Sequence, residues 1–195
     1  MEAAKIPVIV KLTPNISDIT EPAQAARRGG ANAISLINTI QSLIGVDIDH
    51  FVTFPVVGTQ STHGGYCGPA VKPIALNMVK NCAKHPGVQL PISGIGGIEN
   101  WRDAVEFILV GASSLQVCTA VMHYGFGIIR ELKSGLECYM DEKGFKTINE
   151  MVGKVEMLKL KTDIGHWKYR TLDLSPILYK EPSDESVGLY KMVEQ

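Results

Sequence analysis

The feature that most constrains the fold is a repeated alternation of short apolar segments with segments of helical spacing. The apolar segments are "IPVIVKL", "NAISLIN", "QLPISG" and "SSLQVCT", and each is followed, directly or after a loop, by a run typical of a helix. Apolar strands that are separated by helices form parallel sheets covered on both faces. The chain is therefore predicted to be an α/β protein built from four parallel βα units.

Four βα units correspond to half of an eightfold barrel. We interpret residues 1–157 as a partial (β/α) barrel, the second half (strands 5–8) of a TIM barrel. A doubly wound sheet is the alternative that the same pattern allows. Residues 158–195 show no such pattern and are predicted to be an irregular C-terminal tail without a core of its own.

Three further segments complete the predicted order of elements. The stretch from about residue 40 to residue 68 is rich in Gly, His and Thr and is predicted to be a long loop. Loops of that length inside a compact domain are usually functional or partly disordered. One helix is predicted from about Val121 to Met140, and another near Ile148–Val152.

Composition and charge exclude several classes of function. The net charge is −1, so the chain lacks the basic footprint that a nucleic-acid interface needs. The start, "MEAAKIPVIVKL", lacks a signal-peptide pattern, and no apolar run approaches the roughly 20 residues of a membrane span. Four widely spaced cysteines without a C-x-x-C pair are typical of free thiols in a reducing compartment. We predict a cytoplasmic protein without a nucleic-acid or membrane partner.

Chemistry in α/β folds is found at the carboxyl ends of the strands. The residues at those positions are Lys11, Asn38-Thr39, Gly94 to Gly97, and Cys118-Thr119. Glycines at Gly96 and Gly97 let backbone N–H groups approach an anion without a Cβ in the way, and a following helix adds its positive N-terminal end. Barrels often bind a phosphate between the loops after strands seven and eight. The two turns therefore predict a phosphate site, although a purely structural role for the glycines remains the alternative.

Several separate motifs carry a resemblance to a known family. The words "VKLTPN", "INT", "GGYCGPAVKPIALNMV", "SGIGGIENWRDAVEF" and "LQVCTAVMHYGF" occur in this order over about residues 5–155. They resemble the flavin-binding barrel of the dihydropyrimidine dehydrogenases, especially the bacterial NAD-dependent type. These enzymes are related to the class 1 dihydroorotate dehydrogenases.

The resemblance implies a role for each matching residue. It implies an FMN cofactor whose phosphate lies on Gly96, Gly97, Cys118 and Thr119, with Gly68 on the ribityl–phosphate side. Lys11 matches the lysine beside the pyrimidine edge of the flavin, where a cation stabilises the reduced anionic form. Asn38 and Thr39 match the pair that hydrogen-bonds uracil or thymine. An ordinary strand-end turn at Asn38-Thr39 and a solvated lysine at Lys11 are the alternatives.

The resemblance also implies what lies outside this segment. The family's general acid is a cysteine on the first half of the barrel, so no catalytic residue and no metal ligand is predicted here. Iron–sulfur clusters and NAD(P) are implied only for the complete enzyme, through a second flavin/NAD subunit or an N-terminal half. We therefore interpret the chain as a partial copy that is inactive by itself, with association into a homo-oligomer as another possibility.

The predicted function is a segment of a flavin-dependent oxidoreductase that acts on the CH–CH bond of dihydropyrimidines. A dihydroorotate dehydrogenase-type segment and a non-catalytic FMN- or phosphate-binding half-barrel, or remnant, remain as alternatives. A barrel enzyme with a phosphorylated substrate would share the phosphate turns. It would not explain Lys11 together with Asn38-Thr39.

Overall fold

The computed structural model describes residues 5–158. In chain order, its strands and helices are β1 (Ile9–Lys11), α1 (Thr20–Arg28), β2 (Ala33–Leu36), β3 (Ile40–Ser42), β4 (Gly45–Asp47), β5 (Val52–Phe54), β6 (Val56–Val57), β7 (Gln60–Ser61), β8 (Gly64–Tyr66), α2 (Lys72–Lys84), β9 (Ile92–Gly94), α3 (Trp101–Leu109), β10 (Ser114–Leu115), α4 (Thr119–Tyr124), α5 (Gly127–Lys143) and α6 (Ile148–Met151). Short 3-10 helices at Pro69–Val71 and Val155–Met157 complete the described elements.

The central sheet contains four parallel strands in the order β1-β2-β9-β10. These are the four apolar segments of the sequence, so the predicted α/β class with a parallel sheet is confirmed. The strands follow one another in chain order, without the reversal that a doubly wound sheet has at its switch point. Their assignment to strands 5–8 of a barrel remains a prediction.

The two faces of the sheet differ in polarity. Ile34 and Ile92 are buried in the main core, which also contains residues of α1, α2 and α3. Gly94 lies against α3 so closely that a Cβ there would stand 2.6 Å from Phe107 Cδ1. Ser35 and Ser93 alternate with these residues and are paired in register. The strands were predicted to be apolar rather than alternating, and Ser35 and Ser93 are exceptions in polarity, although both are buried.

The segment after α4 differs from the single helix predicted for residues 121–140. The chain forms α4 and then α5, with a break at Gly125, whose φ is 68°. A positive φ cannot continue a right-handed helix, and glycine adopts it at little cost. The helix predicted near Ile148–Val152 is present as α6.

The long segment predicted as a loop is an antiparallel arm, defined here as residues 40–66. Strand β3 pairs with β8, β4 with β5, and β6 with β7. At its base, Ile40 pairs with Tyr66, so the arm leaves the sheet after β2 and returns to the same place. The arm therefore delivers the residues after Tyr66 to the carboxyl end of the sheet.

Two predictions concern regions that the description covers only in part. Of the predicted tail, only Leu158 is described, and residues 159–195 lie outside the described residues. The domain boundary at residues 157–158 therefore remains a prediction. Between residues 5 and 158, no helix is long and apolar enough to cross a membrane.

Candidate functional site

A pocket opens at the carboxyl ends of the parallel strands. Its wall includes all eight residues that the sequence singled out, which are Lys11, Asn38, Thr39, Gly68, Gly96, Gly97, Cys118 and Thr119. They come from the ends of β1, β2, β9 and β10 and from the end of the arm. The structure thus brings the eight residues together, and what they bind remains a prediction.

The turn after β9 provides two backbone donors to this pocket. Gly96 and Gly97 have φ angles of 132° and 79°, which side-chain-bearing residues rarely adopt. Within the described part of the chain, the N–H groups of both glycines have no hydrogen-bond acceptor. Two neighbouring free N–H groups beside a pocket are suited to an anion.

The reason for glycine at these two positions differs from our expectation. We expected a Cβ to occupy the approach path of the anion. Instead, a Cβ on Gly97 would stand 2.8 Å from the carbonyl oxygen of Gly68 and 2.9 Å from Lys72 Cβ. A Cβ on Gly96 would stand 3.0 Å from Ala75 Cβ. Both glycines are therefore required by close packing inside the protein and by their φ angles.

The start of α3 also differs from our expectation. The Asn100 side chain accepts hydrogen bonds from the N–H groups of Arg102 and Asp103, at 2.9 and 3.2 Å. Asp103 Oδ2 accepts from the N–H groups of Glu99 and Asn100, at 2.9 and 3.1 Å. This capping box provides acceptors for the N–H groups of Glu99, Asn100, Arg102 and Asp103. An anion in the pocket would therefore bind the glycine turn and not the N-terminus of α3.

The turn after β10 is joined to the end of the arm. Thr119 Oγ1 donates a hydrogen bond to Cys67 Sγ at 3.4 Å. Cys67 and Cys118 are both exposed, free thiols in the pocket wall. Gly68, which follows Cys67, has a φ of 87°, and a Cβ built on it meets nothing within 4 Å. The space beside Gly68 is open, in contrast to the crowded space beside Gly97.

The predicted substrate pair is held by local hydrogen bonds. Asn38 Oδ1 accepts from the N–H of Thr39 at 2.9 Å, which is part of the strand-end turn kept as the alternative. Asn15 braces the same segment, because its Nδ2 donates to the carbonyl oxygen of Thr39 at 3.2 Å and its Oδ1 accepts from the N–H of Gln41 at 2.8 Å. The Asn38 Nδ2 group has no acceptor among the described residues and remains available to a ligand.

Lys11 is the basic residue in the described wall of the pocket, and Glu99 is the acidic one. Lys11 is exposed and forms no ion pair with any residue between 5 and 158. In the same range, no group of three or more His, Cys, Asp or Glu residues is arranged to hold a metal ion. The free cation at the end of β1 is therefore available to a negatively charged ligand.

Sequence reasoning missed a polar network at the floor of the pocket. Gln116 Nε2 donates to Ser35 Oγ at 3.1 Å and to Ser93 Oγ at 2.9 Å, and Gln116 also lines the pocket. Glu99 and Tyr66 were missed as well. The signal for the network was present, because Ser35 and Ser93 interrupt apolar strands at the same distance from the strand ends.

The chain is similar in sequence to subunits of two kinds of NAD-dependent dehydrogenase. The chain is 48% identical over 149 residues to the NAD-dependent dihydropyrimidine dehydrogenase subunit PreA of Escherichia coli K12. The matched residues make up 76% of this chain and 36% of that protein. It is 47% identical over 147 residues to the catalytic subunit of dihydroorotate dehydrogenase B (NAD(+)) of Pyrococcus horikoshii. That match covers 75% of this chain and 46% of the relative. The same subunit of Caldicellulosiruptor bescii is 46% identical over 156 residues, with 80% and 49% coverage.

The chain thus spans about a third to a half of the length of these curated relatives. The resemblance to the dihydropyrimidine and dihydroorotate dehydrogenases is confirmed. A model of the dihydroorotate dehydrogenase family matches residues 1–140, and the chain belongs to that family.

Proposed function

We propose that the pocket binds FMN, and that the chain is a segment of a flavin-dependent oxidoreductase acting on the CH–CH bond of dihydropyrimidines. The reaction interconverts uracil or thymine and the 5,6-dihydro forms. The observation that carries the proposal is the meeting of the unpaired Gly96 and Gly97 N–H groups, the Lys11 cation and the Asn38 amide in one pocket. The first two groups fit an anionic cofactor, and the third fits a pyrimidine base.

The residues present fit the phosphate end of FMN. The N–H groups of Gly96 and Gly97 would donate to phosphate oxygens, and the Cys118-Thr119 turn would contribute the hydroxyl and N–H of Thr119. Gly68 would face the ribityl side, where its missing Cβ leaves open space. Bound FMN supplies hydride transfer. The chain's own contribution to that chemistry is Lys11, which would stabilise negative charge on the flavin.

Substrate recognition is assigned to Asn38 and Thr39. Because Asn38 Oδ1 already accepts from the Thr39 N–H, the amide would offer mainly its Nδ2 donor to a ring carbonyl of uracil or thymine. The hydrogen bond from Asn15 to the carbonyl oxygen of Thr39 would keep Asn38 and Thr39 in one geometry.

The proton at C5 of the ring is assigned to a group outside this segment. None of the eight assigned residues is placed here as a general acid. The outer edges of β1 and β10 pair with no strand among the described residues. We therefore propose that further barrel strands, and a flavin/NAD subunit, complete the enzyme. The relatives support a subunit arrangement, since they are called subunits of NAD-dependent enzymes.

Dihydroorotate is the second candidate substrate. It is favoured by the near-equal identity to dihydropyrimidine and dihydroorotate enzymes, at 48% and 47%. Orotate differs from uracil by a carboxylate, which needs a cation or several donors close to the ring. Binding measurements with uracil and with orotate separate the two candidates.

The first experiment titrates the purified 195-residue chain with FMN and with riboflavin, followed by flavin absorbance and fluorescence. We expect FMN to bind at least about tenfold more tightly, because riboflavin lacks the phosphate. Binding by the isolated chain should be weak, so the titration extends to millimolar flavin. Equal affinity for the two flavins would contradict the phosphate site.

The second experiment adds uracil, thymine or orotate to the FMN-loaded chain and compares Asn38→Ala with Asn77→Ala. Asn77 is an exposed residue of α2 outside the pocket wall, so it controls for the loss of an amide. Asn38→Ala should retain FMN but weaken uracil binding about tenfold, since a ring carbonyl loses its donor. Loss of FMN with unchanged uracil binding would show that the two roles are reversed.

The third experiment concerns turnover by the chain alone. With FMN and dithionite as electron source, we expect no loss of uracil, because catalysis needs flavin, substrate and proton donor held together. Sustained turnover that depends on Asn38 would contradict this expectation and would indicate that copies of the chain complete one another.

A further inference from the structure

We propose that Lys72 is a positioning residue. Its ammonium group is held by Asp103 and Glu106 of α3, and this fixes the Gly96–Gly97 turn against the segment that follows the arm. This inference rests on the proposed FMN site, because that turn is its phosphate-binding element. Lys72 does not line the pocket, and the sequence motifs gave it no role.

The first step is the contact between Lys72 and the glycine turn. A Cβ built on Gly97 would stand 2.9 Å from Lys72 Cβ and 3.0 Å from Pro69 Cα. The backbone of Gly97 is therefore packed directly on the first residue of α2 and on the segment that follows Gly68. Any movement of Lys72 relative to the glycine turn would open or close its contact with Gly97.

The second step is the ion-pair network that holds Lys72. Its Nζ lies 2.6 Å from Asp103 Oδ1 and 2.9 Å from Glu106 Oε2. The Asp103 side chain is only 9% exposed and that of Lys72 is 25% exposed, whereas Glu106 is 46% exposed. Burial disfavours the charged form of Lys72, but the hydrogen bonds and charges of Asp103 and Glu106 outweigh it and raise the pKa of Lys72.

The third step is the second oxygen of Asp103. Asp103 Oδ2 accepts hydrogen bonds from the N–H groups of Glu99 and Asn100. These residues end the same loop that begins with the glycine turn. The Asp103 carboxylate thus connects α2 to the loop of the glycine turn. One of its oxygens binds Lys72, and the other accepts from the backbone of residues 99–100.

Local helix preferences do not explain a lysine at this position. Lys72 is the first residue of α2, where a cation is opposed by the positive end of the helix dipole. A carboxylate would be favoured there. The network with α3 accounts for the lysine, because it places a compensating negative charge on a neighbouring helix, 31 residues away in the chain.

The test compares Lys72→Met, Lys72→Arg and the control Lys133→Met in the full chain. Methionine keeps the packing of the side-chain stem on Gly97 but removes the charge, and arginine keeps the charge. Lys133 forms an exposed ion pair with Glu137 on α5, 3.7 Å apart, so its loss controls for removal of one surface charge.

The decisive readout is the ratio of FMN affinity to riboflavin affinity. A displaced phosphate turn weakens FMN binding and leaves riboflavin binding unchanged, whereas general destabilisation weakens both. We expect Lys72→Met to lower the ratio about tenfold, the size of one charge-assisted hydrogen bond, and Lys72→Arg to restore most of it. An unchanged ratio in Lys72→Met would overturn the proposal.

A second readout does not depend on flavin. Backbone NMR order parameters of Gly96 and Gly97 in the free chain should fall in Lys72→Met and stay unchanged in Lys133→Met. If the wild-type chain does not distinguish FMN from riboflavin, the proposed cofactor site fails, and the order parameters still decide whether Lys72 fixes the turn. Unchanged order parameters would then overturn the positioning role.

A milder variant covers the case in which Lys72→Met does not fold. Glu106→Gln removes one of the two negative charges at a half-exposed position and leaves Asp103 in place. Glu106→Gln should lower the ratio of FMN affinity to riboflavin affinity, and the order parameters of Gly96 and Gly97, by a smaller factor than Lys72→Met does. No change in either quantity would count against the proposal.

Discussion

Gly68 and Gly97 both line the pocket, and each is a glycine for a different reason. At Gly97, with a φ of 79°, a Cβ would stand 2.8 Å from the backbone oxygen of Gly68. At Gly68, with a φ of 87°, a Cβ would meet nothing within 4 Å. The backbone conformation disfavours a side chain at both positions, but only at Gly97 would an added Cβ meet protein atoms.

This difference separates a requirement of the fold from a requirement of the ligand. A residue at Gly97 must be small for the turn to pack on the segment that follows Gly68. The space beside Gly68 is empty in the free protein, so packing alone does not demand a glycine there. The proposed flavin would occupy that space, and substitutions at the two positions should therefore fail in different ways.

The largest expected effect is that of Gly97→Val. A β-branched residue at this φ, forced against backbone atoms, should lower the free energy of unfolding by about 3 kcal/mol or more and Tm by roughly 10 °C. FMN binding should be lost together with stability. Thermal unfolding and flavin titration measure the two effects. Normal stability with loss of FMN would show that this turn is not crowded and that only the ligand needs the glycine.

The next effect is that of Gly68→Ala, with Gly144→Ala as its matched control. Gly144 ends α5 with a φ of 77°, and it too has nothing within 4 Å of an added Cβ. Both variants should lose about 1 kcal/mol of stability from backbone strain. Only Gly68→Ala should weaken FMN binding, by about tenfold or more, because its methyl group enters the space of the ligand. Equal FMN affinity in both variants would remove Gly68 from the site.

The sequence predicted the strand-end residues well because the signals for them are local. A short apolar run ends at a polar or glycine residue, and the carboxyl ends of parallel strands meet at one edge of a sheet. These patterns identified seven of the eight predicted residues that line the pocket, and the eighth, Gly68, came from the family resemblance.

The features that the sequence did not predict depend on contacts between distant segments. The Gln116 network requires the register between three strands, and the Lys72–Asp103 pair joins two helices. The arm consists of strands of two or three residues, too short for an alternating pattern to be recognised. The break at Gly125 was missed because the flanking residues are compatible with one continuous helix.

The reactivity of the four cysteines can show whether a ligand fills the pocket. Cys67, Cys118 and Cys138 are exposed, and Cys82 is buried. At pH 8, three thiols should react with a thiol reagent in the folded protein, and the fourth only after unfolding. Saturating FMN should slow modification of Cys67 and Cys118 several-fold, while Cys138 on α5 serves as the internal control. Protection of Cys138 to the same degree would contradict a ligand in the pocket.

Cys82 also predicts a dependence of stability on pH. Burial, with a smaller effect of the Asp18 charge, raises the pKa of Cys82 from 9.0 to about 12. The folded state keeps the proton while the unfolded state loses it, so this contribution is complete below pH 9.0 and is lost as the pH rises toward about 12. Denaturant titrations should show stability falling across that range, with a smaller slope in Cys82→Ala.

The smallest expected effect is that of Glu99→Gln. Glu99 lines the pocket beside the glycine turn, and only its backbone N–H takes part in the capping box, by donating to Asp103. Its carboxylate forms no hydrogen bond or ion pair among the described residues, so it adds negative charge to the pocket wall without holding the turn in place. Removing that charge should strengthen FMN binding about two- to fivefold, a size typical of partly exposed charges. Riboflavin binding and Tm should not change, and the gain should shrink with added salt, since screening weakens the repulsion in the wild-type protein. Glu131→Gln, an exposed residue of α5 outside the pocket wall, is the control. Weaker FMN binding in Glu99→Gln would mean that the phosphate does not lie at this turn, and the open side near Gly68 would then be the better place to look for the anion.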